Sequence, residues 1–82
     1  MLRKLYKKTN KFNMGSIDNN IRVERARLKI SQFDLAKEMK VTRQTIYSLE
    51  NNKFVPSVEL ALKLARYFNM EVGDLFWLVD DA

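Results

Sequence analysis

Arg43, Gln44, Tyr47 and Ser48 are the side chains whose types and spacing could do chemistry in this sequence. At about 100° per residue, the helical period, they gather on one side of a short stretch, away from Ile46 and Leu49. A guanidinium can bond both guanine acceptors in the major groove at once. A Gln or Asn amide suits adenine, and a hydroxyl suits either. Tyr47 adds an apolar body that could meet a thymine methyl group. A flank that merely faces water is more often Lys and Glu. Taken alone, the polar flank still reads as a solvated surface, so its surroundings must decide.

The elements that would position these residues are two short helices with a tight turn between them, from Gln32 to Glu50. Ser31 has a side-chain oxygen able to satisfy free N–H groups of the first turn. Leu35, Ala36 and Met39 then form one apolar face. Lys40 and Val41 break that rhythm, and Thr42 can cap a second helix, 43–51, whose inner side is Ile46 and Leu49.

This stretch resembles the phage-repressor type of helix-turn-helix, the Cro-like or XRE family. The resemblance lies in Gln32, Leu35-Ala36, the run Val41-Thr42-Arg43-Gln44-Thr45-Ile46, and Leu49-Glu50. It extends outward from Arg25 to Pro56-Ser57 and Leu60-Ala61-Leu62, covering roughly residues 20 to 76. It implies a compact all-α fold of five helices. One departure is Lys40, where the family usually has Gly because the turn needs a left-handed residue. A side chain there costs about 1 kcal/mol or somewhat more. The resemblance also implies that Arg25, a charge within an apolar stripe, pairs with Glu50, although its stem could instead lie along the surface. It places a phosphate against Lys53 and the backbone N–H groups of the loop around Asn52. It assigns Val72, Leu75 and Phe76 to closing the core.

Eighty-two residues make one domain that must bury its core efficiently. With 46% hydrophobic residues, two Gly and one Pro, a mostly helical body is expected. The chain has no Cys and no His, which excludes disulfides, thiolate metal sites and His-based catalysis. The carboxylates fall at helix ends or on solvent faces, so no enzyme, metal or cofactor is expected. No apolar run is long enough to suggest a membrane span, nor does a secretory signal stand out. A cytoplasmic protein is expected.

The net charge of +5 gains meaning once it is located. Residues 1–13 carry five bases and no acid. Residues 18–53 carry eight bases against five acids, and residues 54–82 carry two bases against five acids. The half holding the two-helix stretch is basic and the half behind it acidic, which would steer a polyanion to one side.

Residues 1–17 stand apart from the periodic body, as a flexible basic tail or as an arm reaching a nucleic-acid backbone or minor groove. Translation starting naturally at Met14 is a third reading. A first helix is expected from Asp18 or Asn19 to Lys29, with Ile21 and Leu28 on its inner face. After the loop, where Phe54 and Val55 are expected to seal the core, Ser57 caps a helix reaching Phe68, with Leu60, Leu64 and Phe68 inside. A short helix over about Val72 to Phe76 closes the domain, 18–76. Residues 77–82 form an apolar and acidic end. Phe76, Trp77, Leu78 and Val79 are a candidate dimer contact, because exposed apolar groups on a small protein mark partner surfaces. Burial of Trp77 in the core is the alternative.

Together these features lead to the expectation of a homodimeric, sequence-specific regulator of transcription, a repressor, bound to double-stranded DNA. Arg43, Gln44, Tyr47 and Ser48 would touch bases. Gln32, Thr42, Thr45, Asn52 and Lys53 would touch the backbone. The competing expectation is a protein-interaction module, such as an antitoxin or transcription adaptor, gripping its partner through the C-terminal apolar segment.

Overall fold

A computed structural model describes residues 17–79. Five helices run in order: α1 (Ile21–Leu28), α2 (Gln32–Met39), α3 (Arg43–Glu50), α4 (Val58–Tyr67) and α5 (Val72–Leu75). A short antiparallel ribbon joins the two ends of the described chain. β1 (Ile17–Asn19) pairs with β2 (Phe76–Leu78), Ile17 opposite Leu78 and Asp18 opposite Trp77. The helical body is as expected. The ribbon is not: three-residue strands leave too few alternations to be legible. The boundaries expected at 17/18 and 76/77 both fall inside it. The rest of the expected tail lies outside the described residues.

Side-chain caps explain where α2, α3 and α4 begin. The Ser31 hydroxyl accepts from the Asp34 N–H at 2.9 Å, and the Asp34 carboxylate accepts from the Ser31 N–H at 3.1 Å, a reciprocal capping box. Thr42 accepts from the Thr45 N–H at 3.1 Å, and Ser57 from the Leu60 N–H at 3.0 Å. At α1 the Asn19 side chain accepts from the Ile21 N–H at 3.0 Å.

Their ends share one device. Lys29, Lys40, Asn52 and Asn69 all adopt left-handed backbone, with φ of 59°, 61°, 58° and 59°. In each case the next residue's N–H reaches back five positions: Ile30 to Arg25, Val41 to Ala36, Lys53 to Ser48 and Met70 to Ala65. This is the Schellman arrangement, which satisfies carbonyls that the helix leaves open. Lys40 therefore does sit in the strained conformation its place in the turn predicts.

Ile21, Leu35, Ala36, Ile46, Leu49, Leu60, Leu64, Ala65, Phe68 and Leu75 form the core. Each large member contributes roughly 1.5–3 kcal/mol by leaving water. Tyr67 and Phe68 meet edge to face with centroids 5.2 Å apart. Several inward expectations are corrected. Leu28, on the same helix face as Ile21, is exposed at the last turn of α1. Phe54 and Val55 are exposed in the loop, and Val72 is exposed at the first turn of α5. Leu75 closes the core from α5, with Phe76 packed against it.

Candidate nucleic-acid interface

Burial fixes the orientation of α3. Ile46, Leu49 and Glu50 are buried, while Arg43, Gln44 and Tyr47 are exposed and Ser48 is half-buried. The four candidate base-reading residues therefore share an outward flank. Within it the Gln44 amide donates to the Ser48 hydroxyl at 3.2 Å. Asn51 donates to the Tyr47 carbonyl at 2.8 Å, holding the last turn of the helix.

Behind this flank lies the ion pair implied by the resemblance. The Glu50 side chain is fully buried and that of Arg25 is 18% exposed. The guanidinium meets both carboxylate oxygens, Nε to Oε2 at 2.8 Å and Nη2 to Oε1 at 3.2 Å, and also donates to the Ile30 carbonyl at 3.1 Å. Gln32 adds a bond to Oε1 at 3.1 Å, and Arg22 approaches the same oxygen at 3.5 Å. Burial by itself would push the Glu50 carboxyl up. Hydrogen bonds from Arg25 and Gln32, with the charges of Arg25 and Arg22, outweigh it and hold Glu50 below the ordinary carboxylate range.

The candidate backbone contacts divide into free and engaged groups. Thr42 and Thr45 bring their hydroxyls within 2.9 Å of each other at the start of α3. One hydroxyl hydrogen fills that contact, leaving the other for an outside acceptor. Gln32 is already engaged, donating to Glu50 and accepting from Arg43 Nη1 at 2.9 Å, with one amide hydrogen left over. Asn52 is engaged at both ends of its amide, donating to Asp18 at 3.2 Å and accepting from Asn19 at 3.1 Å. The N–H groups of Asn51, Asn52 and Lys53 all donate back to α3 carbonyls. The expected cradle of these backbone donors for a phosphate is therefore not formed, because the left-handed turn at Asn52 aims them into the helix.

Lys53 is singled out by its company. After the other three left-handed residues come Ile30, Val41 and Met70, which pack against the core. At the end of α3 the equivalent place holds an exposed Lys. The fold has put a cation at the rim of the polar flank where its other helix ends put hydrophobes.

Asp18 and Asn19, expected from sequence only at the start of the first helix, reinforce this corner. Asn19 donates to the Leu49 carbonyl at 3.0 Å as well as to Asn52, and Asp18 accepts from Asn52. β1 thus fastens the end of α3. Polar residues just before a helix read as caps, and a contact spanning 30 positions leaves no local signal.

On β2 and just beyond it, Trp77, Leu78 and Val79 are 39%, 57% and 38% exposed. Trp77 is thus not a core residue. Of the four candidate dimer residues, Phe76 is the one packed against the core.

Comparison with known proteins agrees with this architecture. A family model described as helix-turn-helix matches residues 21–75. An uncharacterised HTH-type transcriptional regulator of Methanocaldococcus jannaschii is 41% identical over 63 residues, covering 77% of this chain and 96% of that protein. A Bacillus subtilis protein of the same description matches with the same identity and coverage. One from Archaeoglobus fulgidus is 46% identical over 61 residues, covering 74% and 87%. Among solved structures, a candidate DNA-binding protein from Bacteroides fragilis superposes with a TM-score of 0.66 at 28% identity, covering 73% of this chain and 97% of that one.

Proposed function

The chain belongs to the helix-turn-helix family, and from that premise we propose that it is a sequence-specific double-stranded DNA-binding regulator of transcription, a cytoplasmic repressor acting as a homodimer. The observation that carries this reading is the outward flank of α3, with Arg43, Gln44, Tyr47 and Ser48 facing away from a core held by Ile46 and Leu49. The names of its relatives, as transcriptional regulators, and of the similar solved structure, as a candidate DNA-binding protein, support it.

In this reading α3 enters the major groove. Arg43, Gln44 and Ser48 bond base edges, Tyr47 meets a thymine methyl, and each good bidentate contact discriminates by about 1–3 kcal/mol. Thr42, Thr45, Lys53 and the spare amide hydrogen of Gln32 take phosphates. Asn52 serves the backbone contact indirectly, by turning the chain so that Lys53 projects outward. One short helix supplies too little discrimination, so two copies bind through Phe76, Trp77, Leu78 and Val79. Their half-sites would lie about 34 Å apart or a multiple of that. Catalysis, metal and cofactor have no part in this scheme.

Selection of bound duplexes from a random pool tests it. Enrichment of an inverted repeat with that spacing is the expected result, and recovery of unrelated sequences would refute it. The exposure of Trp77, Leu78 and Val79 also favours a second reading, an antitoxin or adaptor that grips a different protein there. Self-association of the pure chain, abolished by charge at Trp77, separates the first reading from the second.

A further inference from the structure

We infer that Asn19, on β1, is a positioning residue for the phosphate contact of Lys53, so that closure of the β1–β2 ribbon sets part of the sequence-independent affinity for DNA. This rests on the backbone-contact role proposed above for Lys53.

The four left-handed helix ends differ in what holds them. Ile30, Val41 and Met70 follow three of them and pack against the core, so burial fixes the chain as it leaves each turn. Lys53 follows the fourth and is exposed, so burial cannot serve there. Hydrogen bonds take its place. Among the described residues, Asn52 is the one of the four left-handed residues whose side chain is hydrogen-bonded, and both ends of its amide are taken.

Donor and acceptor are set at every link. The Ile21 N–H only donates, so the Asn19 atom facing it at 3.0 Å is the amide oxygen. The Asn19 amide nitrogen then faces α3, where its two hydrogens meet two acceptors, the Leu49 carbonyl at 3.0 Å and Asn52 Oδ1 at 3.1 Å. With its oxygen so engaged, Asn52 turns its nitrogen to the Asp18 carboxylate at 3.2 Å. Flipping either amide would set donor against donor or acceptor against acceptor. The anchor is the ribbon itself: Asn19 stands opposite Phe76, and the Asn20 N–H donates to the Leu75 carbonyl at 2.9 Å. A helix end without such a brace frays, and ordering it on binding weakens the complex. Asn19 thus fixes where the Lys53 stem begins, without touching DNA.

Two measurements on the full chain test this with Asn19→Ser. That change keeps charge constant and keeps an oxygen for the Ile21 N–H, but is too short to reach α3. The first measurement is hydrogen exchange in the free protein. The Lys53 N–H, bonded to the Ser48 carbonyl, is compared with the Met70 N–H, bonded to the Ala65 carbonyl at the end of α4. Protection at Lys53 should fall about three- to tenfold relative to Met70. An unchanged ratio overturns the inference. Should Asn19→Ser not fold, Asn52→Gly removes the same tether while keeping the left-handed turn and the α1 cap, and an unchanged ratio there is equally decisive.

The second measurement is duplex binding across a range of salt. Asn19→Ser should weaken a selected and a scrambled duplex alike, by roughly two- to fivefold, and lower the salt slope toward that of Lys53→Ala. In the Lys53→Ala background it should change neither. A slope left unaltered, or a loss that persists without Lys53, overturns the positioning role. If the unaltered chain binds no duplex, the DNA reading fails and takes the phosphate contact with it, while the exchange ratio still decides whether Asn19 holds the turn.

Discussion

Arg25 grips Glu50 from both sides of the carboxylate, at 2.8 and 3.2 Å, and the acid is fully buried behind the helix whose other flank is exposed. Either Arg25→Ala or Glu50→Ala leaves a buried charge without its partner. Each should cost about 3–5 kcal/mol in urea unfolding, whereas an apolar pair of similar volume at both positions should recover most of the loss. A double replacement that costs as much as the two single losses added together would show that the pair is not acting as a unit.

The same acid sets a pH dependence. Its folded pKa lies below the ordinary value of 4.5. Its contribution is therefore present in full above about that value and is lost as pH falls through the lower, folded pKa. Asp34, lowered from 3.8 by hydrogen bonds from the Ser31 backbone and side chain, works in the same direction. Melting temperature should fall on acidification from pH 5 to about pH 3, and Glu50→Gln should flatten that fall while lowering stability at neutral pH.

Lys40 holds a left-handed backbone at φ 61°. Replacing it with Gly removes the steric cost of a side chain there, and Lys40→Gly should stabilise the fold by roughly 0.5–1 kcal/mol. Lys29→Gly, at φ 59°, provides an independent copy of the same experiment. Calorimetric melts of the two variants check both.

Trp77 and Leu78 stand exposed on β2. Trp77→Lys should shift sedimentation equilibrium toward monomer and weaken binding to a two-half-site duplex more than to a single half-site. A variant that remains dimeric would place the interface elsewhere.

Much of this structure is written in local patterns. Ser31, Thr42 and Ser57 announce the starts of α2, α3 and α4, and the spacing of Leu60, Leu64 and Phe68 sets the face that α4 buries. The orientation of α3 follows from Ile46 and Leu49 alone. Other features depend on residues far apart in the chain. The pairing of Ile17 with Leu78 and the bonds of Asn19 to Leu49 and Asn52 arise only once the five helices have closed. Phe54 and Val55 show the limit of composition: being apolar does not bury a residue whose backbone follows a surface loop. Gln32 shows the corresponding limit for polar groups. Its type suits a phosphate, but its neighbours Glu50 and Arg43 had already claimed most of its amide.

The outward flank of α3 is tested most directly by a binding comparison of the unaltered chain, Gln44→Ala and Lys53→Ala across a range of salt. Each is measured on a selected duplex and on a scrambled one. Gln44→Ala should lose about 1–3 kcal/mol on the selected duplex and little on the scrambled one. Lys53→Ala should weaken both alike and reduce the salt slope by about 1. Identical behaviour of the two variants on both duplexes would show that the flank does not read sequence.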